Sequence, residues 1–566
     1  MDFPIPTIPF LLLLLLGCDP GSGAEVPRVS DHGPNTQHGM VVCAHPLATA
    51  VGVQVLRDGG NAIDAAVAVH HALAVVHPEA GNIGGGGFMV IRMADGTVHT
   101  LDFRETAPAA ATRDMYLDAN GQVITNLSLL GHRAAGVPGA VAGMFAALDS
   151  LGSMPMQRLI QPAIDLARNG FPLTALEAEG LNEAADDMRR VNTRPNAYVG
   201  REPWRSGDTL RLPELALTLT RIRDHGQDGF YAGETAALII AEMERGGGLV
   251  TARDLADYRA VWRPEVRGSY RGCSIHSMGP PSSGGIALLQ LLEAMEPMDV
   301  GQAGPRKAPT VHRMVEAERR VYADRATHLG DPGSVAVPVA GLVDSLYVLD
   351  RMTDVDPERA TPSSMIHAGA PRESEHTTHF SIVDALGNAV SCTTTLNDSY
   401  GCKTVVGGAG FILNNEMDDF SAAPGVQNQY GLIGGEANAI APGKRMLSSM
   451  TPTIITRDDK LLMVVGTPGG STIITSVFQV VLDVLDHGMT MQEAVATPRF
   501  HHQWLPDSIQ VESGAIAASD SVLLTRMGHV FKAREPFGRV DAILVLPDGR
   551  LEGGADPRGD DRAGGY

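Results

Sequence analysis

The alternation of apolar and polar positions predicts two helices followed by a hairpin at the start of the folded region. Small apolar residues recur at helical spacing over residues 47–56, and Gly59-Gly60 ends that helix. Asn61, a residue type that caps helix N-termini, precedes a second apolar helix over residues 62–76. Two strand-like segments joined by a turn come next: residues 88–92, Asp95-Gly96 and residues 97–103.

The middle of the chain, about residues 138–331, shows mainly helical spacing. The helices predicted there cover residues 157–168, 213–225, 235–245 and 311–328. From Thr377 onward the pattern predicts strands over residues 377–384, 389–396, 453–457, 461–465, 508–511 and 542–546, with a long helix over 471–486. Strands, then helices, then strands again predict an α+β fold in which helices cover a layered sandwich.

Composition provides a large core and excludes several classes of function. Of the 566 residues, 44% are hydrophobic and 19% are charged, so the chain is not disordered overall. The net charge of −21 argues against nucleic acid or an anionic membrane surface as the main partner. The five cysteines form no C-x-x-C pair, which weakens a zinc or thioredoxin-like interpretation and leaves Cys392 and Cys402 as a candidate disulfide.

The N-terminus has the features of an export signal. Six consecutive leucines end at Leu16, a run too short to span a bilayer, and Gly17-Cys18 follows. Residues 1–18 are therefore interpreted as a lipoprotein-type signal with lipidation at Cys18, and a plain secretory signal is the alternative. Residues 19–37 are interpreted as a linker, and no later stretch is long and apolar enough to predict a membrane span.

A hairpin rich in hydroxyl side chains is the first candidate for chemistry. Its turn, Asp384 to Gly387, fits a three-residue loop closed by a left-handed glycine. That turn sets a register with Thr377 directly opposite Thr395, their Cβ atoms about 5 Å apart. Opposed threonines are also ordinary in a stable sheet, so the residues alone leave both interpretations open.

Three further segments could hold a ligand. The loop at residues 466–471 joins a strand to a helix, where backbone N–H groups can hold an oxyanion, although a tight turn explains it equally. Arg104 suits a carboxylate ligand or a surface ion pair with Glu105. The acidic residues 414–419 suit an ammonium group or Ca²⁺, or simply a solvated loop.

Two familiar hydrolase patterns are missing from the sequence. His501-His502 is not part of an H-E-x-x-H motif, which weakens a zinc hydrolase interpretation, and G-x-S-x-G is absent, which weakens an α/β-hydrolase interpretation.

Taken together, the motifs resemble the γ-glutamyltransferase family from about His38 to Tyr566. They lie at residues 59–66 (GGNAIDAA), 81–86 (GNIGGG), 103–105 (FRE), 281–285 (PSSGG), 377–379 (TTH), 414–420 (NNEMDDF), 447–450 (LSSM), 468–470 (PGG) and 498–503 (PRFHHQ). The resemblance implies a four-layer αββα sandwich of the N-terminal-nucleophile hydrolase type. It also implies one inactive chain that cleaves itself between His376 and Thr377 into a heterodimer of residues 38–376 and 377–566.

The resemblance also implies a role for each site residue. Thr377 would be the nucleophile and, through its new α-amine, the base, because a threonine hydroxyl needs an adjacent base and an α-amine has a pKa of about 8. Thr395 would orient Thr377, and Gly469 and Gly470 would form the oxyanion hole. The α-carboxylate of the substrate would be held by Arg104, Ser448 and Ser449, its α-ammonium by Asn397, Glu416 and Asp419, and Tyr430 would belong to a lid.

The implied activity is γ-glutamyl transfer from glutathione and related compounds to water or to an amino-acid or peptide acceptor. The implied partners are small molecules, with no nucleic acid, metal or organic cofactor, and the implied location is outside the cytoplasm, periplasmic or secreted. A glutaryl or cephalosporin acylase of the same superfamily is the main alternative. A non-catalytic binding protein that never matures is the second.

Overall fold

The computed structural model describes residues 33–366, 376–421 and 435–566. The predicted signal with Cys18, most of the predicted linker and the predicted lid residue Tyr430 lie outside these residues. Within the described ranges, the helices are too short or too polar to serve as membrane spans.

Strands and helices are interspersed along the described chain. The strands are β1 (Asn35–Thr36), β2 (Met40–Cys43), β3 (Gly86–Arg92), β4 (Val98–Asp102), β5 (Phe171–Pro172), β6 (Thr209–Leu210), β7 (Val261–Arg263), β8 (Val266–Tyr270), β9 (Cys273–Ser277), β10 (His376–Val383), β11 (Ala389–Asn397), β12 (Thr453–Arg457), β13 (Lys460–Gly466), β14 (Phe500–His501), β15 (Ile509–Val511), β16 (Phe531–Ala533), β17 (Asp541–Val545), β18 (Leu551–Gly554) and β19 (Arg562–Gly565). The helices are α1 (Pro46–Arg57), α2 (Ala62–Val76), α3 (Ala140–Leu151), α4 (Met156–Asn169), α5 (Ala175–Val191), α6 (Pro213–His225), α7 (Asp228–Tyr231), α8 (Gly233–Gly246), α9 (Ala252–Asp257), α10 (Gly284–Met295), α11 (Val300–Ala303), α12 (Ala308–His328), α13 (Val339–Leu342), α14 (Ser345–Arg351), α15 (Thr472–Leu485), α16 (Met491–Ala496) and α17 (Ala518–Arg526).

Two seven-stranded antiparallel sheets form the centre of the fold. The first has the order β1-β18-β17-β13-β12-β9-β8, and the second has the order β19-β2-β10-β11-β3-β4-β7. Strands from both sides of the predicted cut pair within each sheet, as β10 does with β2 and β12 with β9. The parts of the chain before and after Thr377 are therefore interleaved.

Side chains alternate between two buried faces along the strands. In β2, Met40 and Val42 join a hydrophobic cluster that also contains Ile454 of the other sheet, so the two sheets pack face to face. Val41 and Cys43 belong instead to a cluster that includes the residues of α2. A third hydrophobic cluster, on the outer face of the first sheet, contains residues of α10, α12 and α15. The layers run helix, sheet, sheet, helix, which confirms the predicted αββα sandwich.

Most predicted elements are confirmed, and one region differs. Helices α2 and α6 have the predicted ends, and the Asn61 side chain caps α2 by accepting from the N–H of Asp64 at 2.9 Å. The prediction of a mainly helical middle missed the short strands β5 and β6 and the sheet strands β7, β8 and β9. Because β7 and β8 are edge strands, they expose side chains such as Trp262 and Arg267, and their apolar alternation is weak.

Candidate active site

The hairpin of β10 and β11 brings Thr377 and Thr395 together. The two residues are paired directly across the ladder, in the predicted register, and the Thr377 hydroxyl donates to the Thr395 hydroxyl over 3.4 Å. A bulge between His376 and Thr377 shifts the ladder at that point. The irregularity in the ladder thus lies directly at the predicted cut.

The turn that fixes this register is held by one carboxylate. Asp384 accepts from the N–H groups of Leu386 at 2.9 Å and Asn388 at 3.0 Å, and Gly387 adopts a left-handed φ of 85°. Its second oxygen accepts from the N–H of Ala62, the first residue of α2, at 3.0 Å. The hairpin is therefore fastened to the central helix, which opposes a slip in register.

The far end of β11 holds Thr395 in place. Asn82 donates to the Thr395 carbonyl at 3.0 Å, and the N–H of Asn397 donates to the Thr395 hydroxyl at 2.7 Å. Asn397 ends the strand with a left-handed φ of 78°, and its side-chain amide donates to the carbonyl of Asn415 at 3.0 Å. The structure thus places Asn397 beside Thr395.

A buried cluster of charges adjoins the threonine pair. Arg104 is 1% exposed and pairs with Glu416 at 2.6 Å, with Asp419, and with Glu105 at 3.6 Å. Glu416 also lies beside the Thr395 hydroxyl, which stabilises its ionised form. The surface ion pair and the solvated acidic loop, both left open by the sequence, are therefore wrong, because Arg104 and residues 414–419 are buried.

One guanidinium cannot neutralise three buried carboxylates, so this cluster holds protons near neutral pH. Burial raises the pKa of Glu416 to about 8 and that of Glu105 to about 8. Burial and the neighbouring Glu416 raise the pKa of Asp419 as well. At neutral pH, a further cation entering the cluster would favour loss of one of these protons.

Ser448 and Ser449 supply hydrogen-bond donors next to Arg104. The guanidinium of Arg104 reaches the carbonyl of Leu447 at 3.3 Å, one residue before the pair. The Ser448 hydroxyl accepts from the N–H of Met450 at 3.2 Å, and the Ser449 hydroxyl accepts from Arg325 at 2.9 Å. Within the described part of the chain, neither hydroxyl has an acceptor for its own hydrogen. Two buried donors beside a guanidinium match the needs of a carboxylate.

The loop between β13 and α15 presents unused N–H groups. Gly469 and Gly470 have left-handed φ values of 131° and 55°. A side chain at Gly469 would meet the Thr472 hydroxyl at 2.6 Å, so the close approach requires glycine. No acceptor for either glycine N–H lies among the described residues. Such a pair of N–H groups can stabilise an oxyanion.

A cavity of about 300 Å³ joins Thr377 to this loop. Gly469 and Thr472 line one part of it, and the rest is lined by His77, Glu79, Ala80, Pro468 and residues 534–539. The charge cluster around Arg104 is not part of its lining. Thr377 thus lines an open cavity, while its partner Thr395 contacts the buried charge cluster through Glu416.

The histidines of the sequence motifs are structural. His379 hydrogen-bonds to the hydroxyls of Thr393 and Ser381, and burial lowers its pKa to about 3. His501 hydrogen-bonds to Thr475 and Gln503, and burial lowers its pKa to about 3 as well. Neutral, fully bonded rings of this kind are not poised for acid–base catalysis.

Sequence reasoning missed Asn82, Glu105 and Arg325 as parts of the site. Asn82 lies in a glycine-rich motif and Glu105 follows Arg104, so both had a local signal, whereas Arg325 had none.

Cys392 and Cys402 are both free thiols, so the candidate disulfide is absent.

One other polar group in the described residues resembles a metal site, formed by His312, Glu316 and His529. The Glu316 carboxylate is held by Arg319 at 2.6 Å and Arg320 at 2.7 Å, and His312 and His529 hydrogen-bond to each other at 2.8 Å. These contacts account for the cluster without a metal ion.

Comparison with known proteins identifies relatives of the whole chain. The family model described as Gamma-glutamyltranspeptidase matches residues 48–566. The glutathione hydrolase proenzyme of Escherichia coli (strain K12) is 47% identical over 540 residues, which covers 94% of this chain and 93% of that protein.

Two solved structures are similar as well. The cephalosporin acylase from Bacillus halodurans superposes with a TM-score of 0.85 at 28% identity, covering 97% of this chain and 99% of that one. The gamma-glutamyltranspeptidase of Helicobacter pylori superposes with a TM-score of 0.57 at 45% identity, covering 59% of this chain and 97% of the solved chain.

Proposed function

Since the chain belongs to the gamma-glutamyltranspeptidase family, we propose that Thr377 is the nucleophile of a self-processing γ-glutamyltransferase and glutathione hydrolase. The observation that carries this assignment is the hydroxyl pair of Thr377 and Thr395 beside the Glu416, Arg104 and Asp419 cluster. A nucleophile, an orienting hydroxyl and groups for both ends of an amino acid are thereby contiguous.

Maturation begins with attack of the Thr377 hydroxyl on the carbonyl carbon of His376. The C–N bond breaks as a C–O ester bond forms, and the Thr377 nitrogen becomes a free amine. Water then hydrolyses the ester, leaving a carboxylate on His376. The large part, residues 38–376, and the small part, residues 377–566, stay together because their strands pair in both sheets.

Catalysis follows the same bond changes on the substrate. The α-amine of Thr377 takes the hydroxyl proton as Oγ1 attacks the γ-carbonyl, and the N–H groups of Gly469 and Gly470 stabilise the oxyanion. The amine then gives its proton to the departing cysteinylglycine nitrogen, which leaves through the cavity next to Gly469. Water or an acceptor amine releases the γ-glutamyl group from the ester.

Donor recognition divides between two ends of the charged pocket. Arg104, Ser448 and Ser449 hold the α-carboxylate, because Arg104 contacts the carbonyl just before the serine pair and each serine hydroxyl still has a hydrogen to donate. Glu416 and Asp419, with the amide oxygen of Asn397, hold the α-ammonium. The substrate thus replaces ion pairs that Arg104 makes with Glu416 and Asp419 in the free chain.

The apolar run before Cys18 supports export of the enzyme, with Cys18 as the lipid-anchor position of a periplasmic protein. A secreted form without the anchor is the alternative. Tyr430, which lies outside the described residues, keeps the lid role that the family resemblance implies.

The direct test is the intact mass and N-terminal sequence of purified protein incubated near neutral pH. We expect two chains, the smaller beginning Thr-Thr-His-Phe, and hydrolysis of a γ-glutamyl anilide by the cut form alone. A single uncut chain that still binds γ-glutamyl compounds would instead support the non-catalytic alternative.

Donor selectivity is expected to depend on pH through Glu416. Below its pKa of about 8 the free pocket carries a proton, which an incoming ammonium must displace. The ratio of kcat/KM for γ-glutamyl-p-nitroanilide to that for glutaryl-p-nitroanilide should therefore rise from pH 6 to pH 8, by at most about tenfold per unit for one proton. The α-amine of Thr377 acts on both substrates, so its titration cancels in the ratio.

The matched control for this profile is Glu416→Gln, which removes one of the proton-holding groups of the cluster, the one assigned to the ammonium. We expect its selectivity ratio to vary much less between pH 6 and pH 8. A wild-type ratio that stays constant over that range would show that no proton leaves the pocket when the ammonium binds.

A further inference from the structure

A second arginine lies behind the proposed carboxylate site. Arg325, in α12, is 1% exposed. Its Nη2 donates to the Ser449 hydroxyl at 2.9 Å and its Nε donates to the Ser283 hydroxyl at 2.6 Å. Ser283 in turn donates to the carbonyl of Ser448 at 2.6 Å. One guanidinium therefore holds the Ser448-Ser449 segment at two points.

The Ser449 contact fixes the direction of a hydrogen. A serine hydroxyl has one hydrogen and two lone pairs, and Arg325 occupies one lone pair of Ser449. Among the residues that the structure describes, no acceptor receives the Ser449 hydrogen. The hydrogen is thus kept away from Arg325 and remains available to a ligand on the other side of the oxygen.

We propose that Arg325 is a positioning residue for the α-carboxylate of the donor, acting through the Ser449 hydroxyl. This inference rests on the proposed function, in which Ser449 contacts that carboxylate. A hydroxyl that accepts from a cation is polarised and becomes a better donor. Arg325 thereby strengthens the bond to the carboxylate without touching the substrate.

The charge balance of the pocket explains why one arginine is insufficient. Arg104 faces Glu105, Glu416 and Asp419, and the donor adds one positive and one negative charge. Since Arg104 already contacts three acidic side chains, part of its guanidinium is unavailable to an incoming carboxylate. The Ser449 hydroxyl, which accepts from the buried guanidinium of Arg325, supplies a further donor at the carboxylate end.

The test compares two donors that differ only at the α-carbon, γ-glutamyl-p-nitroanilide and its α-carboxamide analogue. In Arg325→Gln we expect the ratio of kcat/KM for the carboxylate donor to that for the carboxamide donor to fall about tenfold, mainly through KM. Arg325→Lys keeps the charge but cannot hold both serines, so its ratio should fall about threefold. A purely structural role would lower the active fraction and leave the ratio unchanged.

A double-mutant cycle with Ser449→Ala shows whether Arg325 acts through that hydroxyl. We expect Arg325→Gln to change the ratio less than twofold in the Ser449→Ala background. Equal effects of Arg325→Gln in both backgrounds would overturn the inference. An unchanged ratio in Ser449→Ala alone would instead refute the proposed carboxylate site. If Arg325→Gln does not mature, the lysine variant decides, and an unchanged ratio there overturns the inference.

Discussion

Thr377→Ala is expected to remain one uncut chain with no γ-glutamyl transfer. The alanine removes the hydroxyl that attacks His376, so neither the ester nor the free α-amine can form. Turnover of γ-glutamyl-p-nitroanilide should fall about 10⁴-fold or more, because removing a covalent nucleophile eliminates the entire acyl-enzyme route. Intact mass spectrometry and a continuous anilide assay on the same sample measure both effects.

The neighbouring threonine provides the matched control for this variant. Thr378 pairs with Thr394 on the other side of the strand, and its buried hydroxyl has no hydrogen-bond partner among the described residues. Thr378→Val removes a hydroxyl of the same kind one position away, so it should still cleave and turn over. A Thr377→Ala protein found cut before residue 377 would show that another group performs the cleavage.

Asp419→Asn is expected to reverse the preference between γ-glutamyl and glutaryl donors. The glutaryl group keeps the carboxylate and lacks the ammonium, so the comparison isolates the contact that Asp419 makes. A charge-assisted hydrogen bond to a buried carboxylate contributes about 3 kcal/mol, which predicts a loss of about 100-fold in kcat/KM for the γ-glutamyl donor. Glutaryl turnover should stay level or rise, because the variant leaves one carboxylate fewer without a cation.

This experiment also separates the transferase from the acylase alternative. Asp418→Asn is the control, since Asp418 is buried next to Asp419 but accepts from Ser128 at 2.5 Å, outside the Arg104 pairs. We expect Asp418→Asn to leave the donor ratio unchanged. If wild-type protein preferred the glutaryl donor, or Asp419→Asn kept the wild-type ratio, the ammonium site would be misassigned.

The nucleophile hairpin could be predicted because its determinants are local. Asp384 and Gly387 form a turn whose geometry sets the pairing of every residue up to Thr377 and Thr395, and the structure has that register. The ends of α2 are equally local, since Asn61 caps the helix within one turn. Turn and cap chemistry act over a few residues, so the sequence displays them directly.

The protonation of the carboxyl groups and the burial of the site depend on contacts between segments that are distant in the sequence. Arg104 and Asp419 are separated by most of the chain, and only the packing of the loops beside the second sheet brings them together. The same packing buries both, which decides that the carboxyl groups hold protons and that Arg104 is not a surface residue. Arg325 lies on a helix outside every recognised motif, and it reaches Ser449 only because α12 packs against that loop.

The sequence by itself therefore determined the family and the register of the nucleophile hairpin, and it predicted the candidate site residues. The tertiary structure decided which charged side chains contact one another and how deeply they are buried. It also brought a second arginine, Arg325, to the proposed α-carboxylate site. Hydrophobic periodicity indicates which face of an element is buried, but it does not indicate which element covers that face. Burial and electrostatics depend on that opposing element, so they appear only once the layers are packed.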